Sequence, residues 1–319
     1  MNSLVGHFQN IYFFYCLGVA EMPEVDANEN DDPFIFKYGG IYFPSTHTSP
    51  QIIDSVQDFE IRDSDVFLIT YPKSGTVWTQ QILSLIVNEG HRNGTEEIQN
   101  MSRVPWIEYN LSKMDYDSRP SPRLFSSHLP YYFVPRDLRN KRGKIIYIAR
   151  NPKDVAVSYY HFYKAIKKVK QKKDWETFLD DYLSGKVLSS SWFDHVKGWY
   201  THQEDFNILF LTYEEMKKDL RSSVRQICRF VEKELDEREV DTIVEKATFQ
   251  NMKQDPLANY TTVPEDTLDV KIATHLRKGT VGDWKNLMTV AQNEKFDKIY
   301  SEKMIGVPIN FTWDISEGN

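Results

Sequence analysis

Four apolar residues, Val66-Phe67-Leu68-Ile69, run straight into Tyr71-Pro72-Lys73-Ser74-Gly75-Thr76, and a segment with Trp78, Ile82, Leu85 and Ile86 at helical spacing follows. That is the layout of a strand, a tight turn and a helix N-terminus. The N–H groups of such a turn and the positive end of the helix dipole converge on one place, where a phosphate-like anion is stabilised. Lys73 adds a cation there. Taken alone, the string also reads as an ordinary strand-to-helix connection, so the rest of the chain decides. Its lysine precedes the glycine, and Gly-x-x-x-x-Gly-Lys-Ser/Thr occurs nowhere in the chain, which weakens a nucleoside-triphosphate kinase reading.

Two further apolar runs, Lys144-Ile145-Ile146-Tyr147-Ile148-Ala149 and Asn207 to Tyr213, read as strands. After the first, Asn151-Pro152-Lys153-Asp154 opens a helix with a cap residue, a proline in the first turn and an acid three residues after the cap. After the second, Met216, Leu220, Val224, Ile227 and Val231 share one helix face. Short apolar runs alternating with amphipathic helices predict an α/β fold: one domain with a central parallel sheet flanked by helices, and ligands beyond the carboxyl ends of the strands. No Gly/Ser linker or Pro-rich hinge divides the 319 residues. Residues 34–319 are expected to form the domain, with 1–33 as an N-terminal extension that is largely without structure.

The apolar run Ile11 to Ala20 is about half the roughly 20 residues a membrane-spanning helix needs, and no basic residue precedes it. The acidic stretch Glu21 to Asp32 is expected to be disordered. A net charge of −7 argues against a general nucleic-acid binder, and two cysteines, Cys16 and Cys228, suit a reducing compartment, with the cytoplasm as the expected location. No Asp/Glu cluster of the kind that holds magnesium beside a phosphate is apparent, so no metal is expected. Lys164 to Lys173 reads as a solvated helix end, and Asp255 to Thr274 as a loop of lid-like length.

Arg150-Asn151-Pro152-Lys153-Asp154 with Ser158, and Arg277-Lys278-Gly279-Thr280-Val281-Gly282-Asp283-Trp284, join the Lys73 turn in a set that resembles the cytosolic sulfotransferase family over about Phe34 to Asp314. Asp65 to Gly94, Arg119 to Pro130 and Trp192-Phe193-Asp194-His195 look most like amine sulfotransferases. The resemblance implies 3′-phosphoadenosine 5′-phosphosulfate (PAPS) as co-substrate, released as PAP, and a small-molecule acceptor: an amine, with phenols or steroidal alcohols as alternatives. It further implies that Lys73, Ser74, Gly75, Thr76 and Val77 hold the 5′-phosphosulfate, with Lys73 neutralising charge on the leaving oxygen. Arg150, Ser158, Arg277, Lys278 and Gly279 would hold the 3′-phosphate. Trp78 and Phe249 would wall the adenine, with Tyr213, Thr248 and Met252 beside it.

His128, in Ser126-Ser127-His128-Leu129-Pro130, matches the family's catalytic histidine, and an imidazole titrating near neutrality can take the proton of an attacking O–H or N–H. Lys285, Thr289, Val290 and Glu294 match the segment through which family members form homodimers. Three departures stand out. Ser126 occupies a position where many phenol-sulfating members carry lysine; Ala247-Thr248-Phe249 stands where many members have Thr-Ser-Phe; and His275-Leu276 replaces Phe-Met before Arg277. The competing readings are a nucleotide kinase of related topology and a non-catalytic nucleotide-binding protein.

Overall fold

In the computed structural model, residues 25–26, 32–109, 115–168, 173–262 and 268–315 are described. A small antiparallel sheet of β1 (Val25–Asp26), β2 (Ile35–Tyr38) and β3 (Ile41–Pro44) comes first, followed by α1 (Pro50–Gln57). The sequence reading did not foresee this sheet. Two residues of the acidic stretch take part in it as β1; Ile11 to Ala20 lies outside the described residues.

Next come β4 (Val66–Thr70), α2 (Thr76–Val87), α3 (Asn100–Arg103), β5 (Leu124–Ser127), β6 (Lys144–Ala149) and α4 (Pro152–Ala165). The chain continues through α5 (Trp175–Ser184), α6 (Trp192–Thr201), β7 (Ile208–Thr212), α7 (Tyr213–Lys218), α8 (Leu220–Phe230), α9 (Glu237–Lys246), α10 (Phe249–Gln254) and α11 (Val290–Lys303). Strands β5-β4-β6-β7 form one sheet in that order, and every pairing in it is parallel.

The apolar runs show no hydrophobic–polar alternation because both faces of this sheet are covered. Phe67, Ile69, Phe125, Ile145 and Tyr147 pack with Val155, Tyr159, Phe178, Trp192 and Trp199 from α4, α5 and α6. Val66, Leu68, Leu124, Ile146 and Ile148 face the other way, onto Ile82, Leu85, Val224, Ile227 and Ile243 from α2, α8 and α9. A buried ion pair fixes the start of β4 against β5: Arg123 donates to Asp65 at 2.6 Å, and both side chains are almost fully buried.

The periodic segment Met216 to Val231 is two helices rather than one. Asp219 ends α7 and caps α8, its carboxylate accepting the Ser222 N–H at 2.9 Å. A side chain that bonds its own following backbone competes with continued helix, and here it wins. Among the described residues no helix is long and apolar enough to cross a membrane.

Candidate active site

Because the four strands run in one direction, Thr70, Ser127, Ala149 and Thr212 reach the same edge of the sheet. A cavity of about 1220 Å³ opens there. Among the sequence-derived candidates, Lys73, Gly75, Thr76, Val77, Trp78, His128, Arg150, Ser158, Tyr213, Thr248, Phe249, Met252, Arg277, Lys278 and Gly279 line it. Ser74 does not. Its side chain is fully buried with Oγ unpartnered, and its N–H donates to the Tyr71 carbonyl.

The turn after β4 is shaped by left-handed backbone. Lys73 has φ 67° and Gly75, the N-cap of α2, has φ 105°. Gly75 is required twice over, since a Cβ there would sit 2.8 Å from the Tyr213 ring. Lys73 Nζ lies 4.2 Å from the centre of the Phe162 ring, near Arg150 and Arg277. Burial pushes its pKa down to about 7, and the two guanidinium groups push the same way. Three cations confined together disfavour one another unless an anion joins them.

Arg150 donates to the carbonyls of Lys73 and Thr280 at 3.1 Å each, and its guanidinium stacks 4.3 Å over Tyr213. Those bonds join the turn after β4 to the 277–284 segment. That segment is anchored from below by Asp154, whose carboxylate accepts the N–H groups of Gly282 at 2.8 Å and Trp284 at 3.0 Å. Arg277 and Lys278 both pair with Asp283. Nε of Arg150 and of Arg277, two residues that line the cavity, is buried and unpartnered, so hydrogen-bonding capacity surplus to the protein gathers at this end of it. Gly279 (φ 69°) presses its Cα side onto Phe249, where a Cβ would come within 2.4 Å of the ring. Trp78 donates its indole N–H to the Ala247 carbonyl at 2.7 Å and meets the Tyr213 ring at 5.3 Å. The Ala247 departure thus falls at a fully buried residue whose backbone, not side chain, holds the indole.

His128 follows the end of β5. Its Nδ1 lies 2.7 Å from the Thr70 carbonyl, which can only accept, so Nδ1 carries the proton and Nε2 is the basic nitrogen. The Thr70 hydroxyl, 3.3 Å from Nδ1, is itself bonded to the Thr76 hydroxyl of α2 at 2.7 Å. Burial pushes the His128 pKa down to about 3, with His195 and Lys73 acting in the same direction against the Thr70 bond. The imidazole is therefore neutral throughout the physiological range, where a titration near neutrality was expected from sequence.

Two residues that the sequence reading missed hold the His128 backbone. Glu108 accepts its N–H at 2.6 Å, and His195, oriented by the Tyr147 hydroxyl, donates Nε2–H to its carbonyl at 3.1 Å. His195 stood inside a quoted motif, but nothing in a lone histidine among apolar neighbours announces its target. Ser126 is fully buried, bonded to Gln80 at 2.8 Å rather than facing the cavity. His275 lines the cavity between Phe162 and Tyr260, at 5.1 and 5.0 Å between ring centres.

Residues 63–308 match the family model of the sulfotransferase domain. The chain belongs to the sulfotransferase family. It is 52% identical to the amine sulfotransferase of rabbit (Oryctolagus cuniculus) over 291 residues, 91% of this chain and 97% of the relative. It is 41% identical to human sulfotransferase 2A1, across 89% of this chain and 99% of that protein. Among solved structures, a mouse sulfotransferase complexed with PAP superposes with a TM-score of 0.72 at 35% identity, covering 86% of this chain and 95% of the other. The cavity at the strand ends is the candidate site, and membership of this family removes the nucleotide-kinase reading. Among the described residues no cluster of His, Cys, Asp or Glu is arranged to hold a metal ion.

Proposed function

We propose that this enzyme transfers a sulfuryl group from PAPS to the nitrogen of small amines, with His128 as the general base. The observation that carries the reading is the tautomer of His128: Nδ1 is committed to the Thr70 carbonyl, which leaves the Nε2 lone pair for a proton in the same cavity as Lys73. The nucleotide residues fit a doubly charged adenosine. Arg150, Arg277 and Lys278 would hold the 3′-phosphate, the Lys73 to Thr76 turn the 5′ end, and Trp78 and Phe249 the base. PAPS supplies an activated sulfuryl group on a good leaving group. Lys73, brought back to its charged form by that anion, would stabilise negative charge as it collects on the leaving oxygen.

A base held at low pKa suffices because the acceptor changes during the reaction. As nitrogen bonds to sulfur its N–H becomes strongly acidic, so the proton passes to Nε2 late and downhill. A neutral His128 also admits a neutral amine without repulsion. Only the neutral amine has a lone pair to attack with. With Ser126 buried against Gln80, no lysine stands at the position that many phenol-sulfating members use for a developing phenolate, in keeping with similarity to a relative named amine sulfotransferase. Removing the base should separate catalysis from binding. In His128→Ala, PAP affinity is expected to stay within about threefold while turnover drops by roughly 10²–10⁴; near-normal turnover would remove His128 from the mechanism.

The same reading includes a homodimer through Lys285, Thr289, Val290 and Glu294. Val290, at the first turn of α11 after the Thr289 cap, is 76% exposed, which suits a contact with a second copy across a two-fold axis.

A further inference from the structure

The buried carboxyl of Glu108 is bonded to the backbone of His128. Its residue is 1% exposed, Oε1 accepts the His128 N–H at 2.6 Å, and Oε2 is buried without a hydrogen-bond partner. Trp106, two residues earlier, packs its ring 4.5 Å from the His128 imidazole, so the 106–108 segment forms the wall against which the histidine is set. Ionising a buried carboxyl with an orphaned oxygen is costly, and such a group takes up a proton unless other contacts favour its charge. An amide would serve the Oε1 bond equally well.

We propose that Glu108, acting as a carboxylate, is a positioning residue that sets His128 and stabilises the positive charge the imidazole takes on when it accepts the acceptor's proton. The inference rests on the reading of His128 as the general base. In the step itself the amine nitrogen's lone pair bonds to sulfur, the S–O bond to the nucleotide breaks with its electron pair leaving on PAP, and the N–H bond breaks with its pair staying on nitrogen and its proton going to Nε2 of His128. No proton moves to Glu108, whose contribution is a counter-charge present before the step begins. The other charged and titratable groups here oppose that imidazolium or are indifferent to it. Lys73 and His195 disfavour it, whereas Tyr109 and Tyr116 are made harder to ionise by burial first and by the Glu108 charge second.

Glu108 is not ionised at every pH. Burial pushes its pKa up to about 7, against the pull of the His128 N–H, its own N–H and the Ser127 hydroxyl. A carboxyl titrating there would be about one-tenth ionised at pH 6 and nine-tenths at pH 8. Turnover should follow that fraction.

The test uses kcat at saturating PAPS, with an aromatic amine that is neutral throughout pH 6–8. The wild-type value is expected to rise about tenfold over that span and then level off. Glu108→Gln keeps the acceptor for the His128 N–H and removes the charge; kcat at pH 8 should fall roughly 10- to 100-fold, the pH dependence should vanish, and the Kd for PAP should stay within twofold. A Glu108→Gln enzyme with native kcat, or a slow one that retains the pH rise, overturns the proposal. So does a flat wild-type profile, which decides the matter even if the variant fails to fold. His128→Ala keeps the two levels apart. If it is nearly inactive while Glu108→Gln is normal, only the role of Glu108 fails; if it is fully active, the base reading fails first. Added to His128→Ala, Glu108→Gln should cost nothing further.

Discussion

Nucleotide binding should draw a proton from solvent, because Lys73 is held short of one in the free enzyme. Burial beside Arg150 and Arg277 brings its pKa down to about 7. The bound anionic nucleotide outweighs both causes, supplying the opposite charge that the cluster lacks and favouring the ammonium. The sign follows from linkage: the complex binds more protons at Lys73 than the free protein does, so affinity falls as pH rises through the free-state value. With a free pKa of about 7 and the lysine fully protonated in the complex, apparent affinity for PAP should weaken roughly 50-fold between pH 7 and pH 9. That is about 2.3 kcal/mol, at 1.36 kcal/mol per tenfold.

Isothermal titration of PAP at pH 8, in two buffers of different ionisation enthalpy, measures the uptake directly. About 0.9 proton per site is expected, and Lys73→Met should abolish most of it. The nucleotide's own phosphates do not obscure this, since their last ionisation lies near pH 6. A Kd independent of pH from 7 to 9, with equal heats in both buffers, would refute the reasoning and return Lys73 to an ordinary surface lysine in character.

Two other perturbations test separate parts of the account. Gly279→Ala places a methyl group 2.4 Å from Phe249 at a φ of 69°, so the ring must leave its place or the backbone must strain; PAP affinity should fall about 10- to 100-fold by titration, with a backbone term of about 1 kcal/mol included. Val290→Glu would set two like charges near the proposed two-fold axis and should give monomers by light scattering, whereas a dimer that persists must use another surface.

The parts of this site that were legible in the sequence are those where one local pattern carries both structure and chemistry. Lys73 to Thr76 announces itself as strand, turn and helix start, and Asn151-Pro152-Lys153-Asp154 as a capped helix; both lie where expected, and Asp154 also fixes the 277–284 segment through two backbone N–H groups. Long-range partners of a backbone group leave no such trace. Glu108 and His195 meet His128 across separations of 20 and 67 residues, and the bond that selects the His128 tautomer comes from the main chain of Thr70, 58 residues away, where side-chain identity is silent. Burial is equally hard to read at single positions. Ser126 occupies a position where many phenol-sulfating members carry lysine, yet here its side chain is enclosed with Gln80 of α2, the helix that packs on that face of the sheet.

Sulfuryl transfer to nitrogen is tested by incubating a panel of amines, phenols and steroidal alcohols with sulfur-labelled PAPS and identifying the products by mass spectrometry. The account predicts sulfamates, with kcat/KM for the better amines above that for any phenol or alcohol. Phenols or steroidal alcohols turned over far better than every amine would contradict the assignment of the acceptor, and release of PAP with no sulfated product from any of them would contradict the acceptor chemistry altogether.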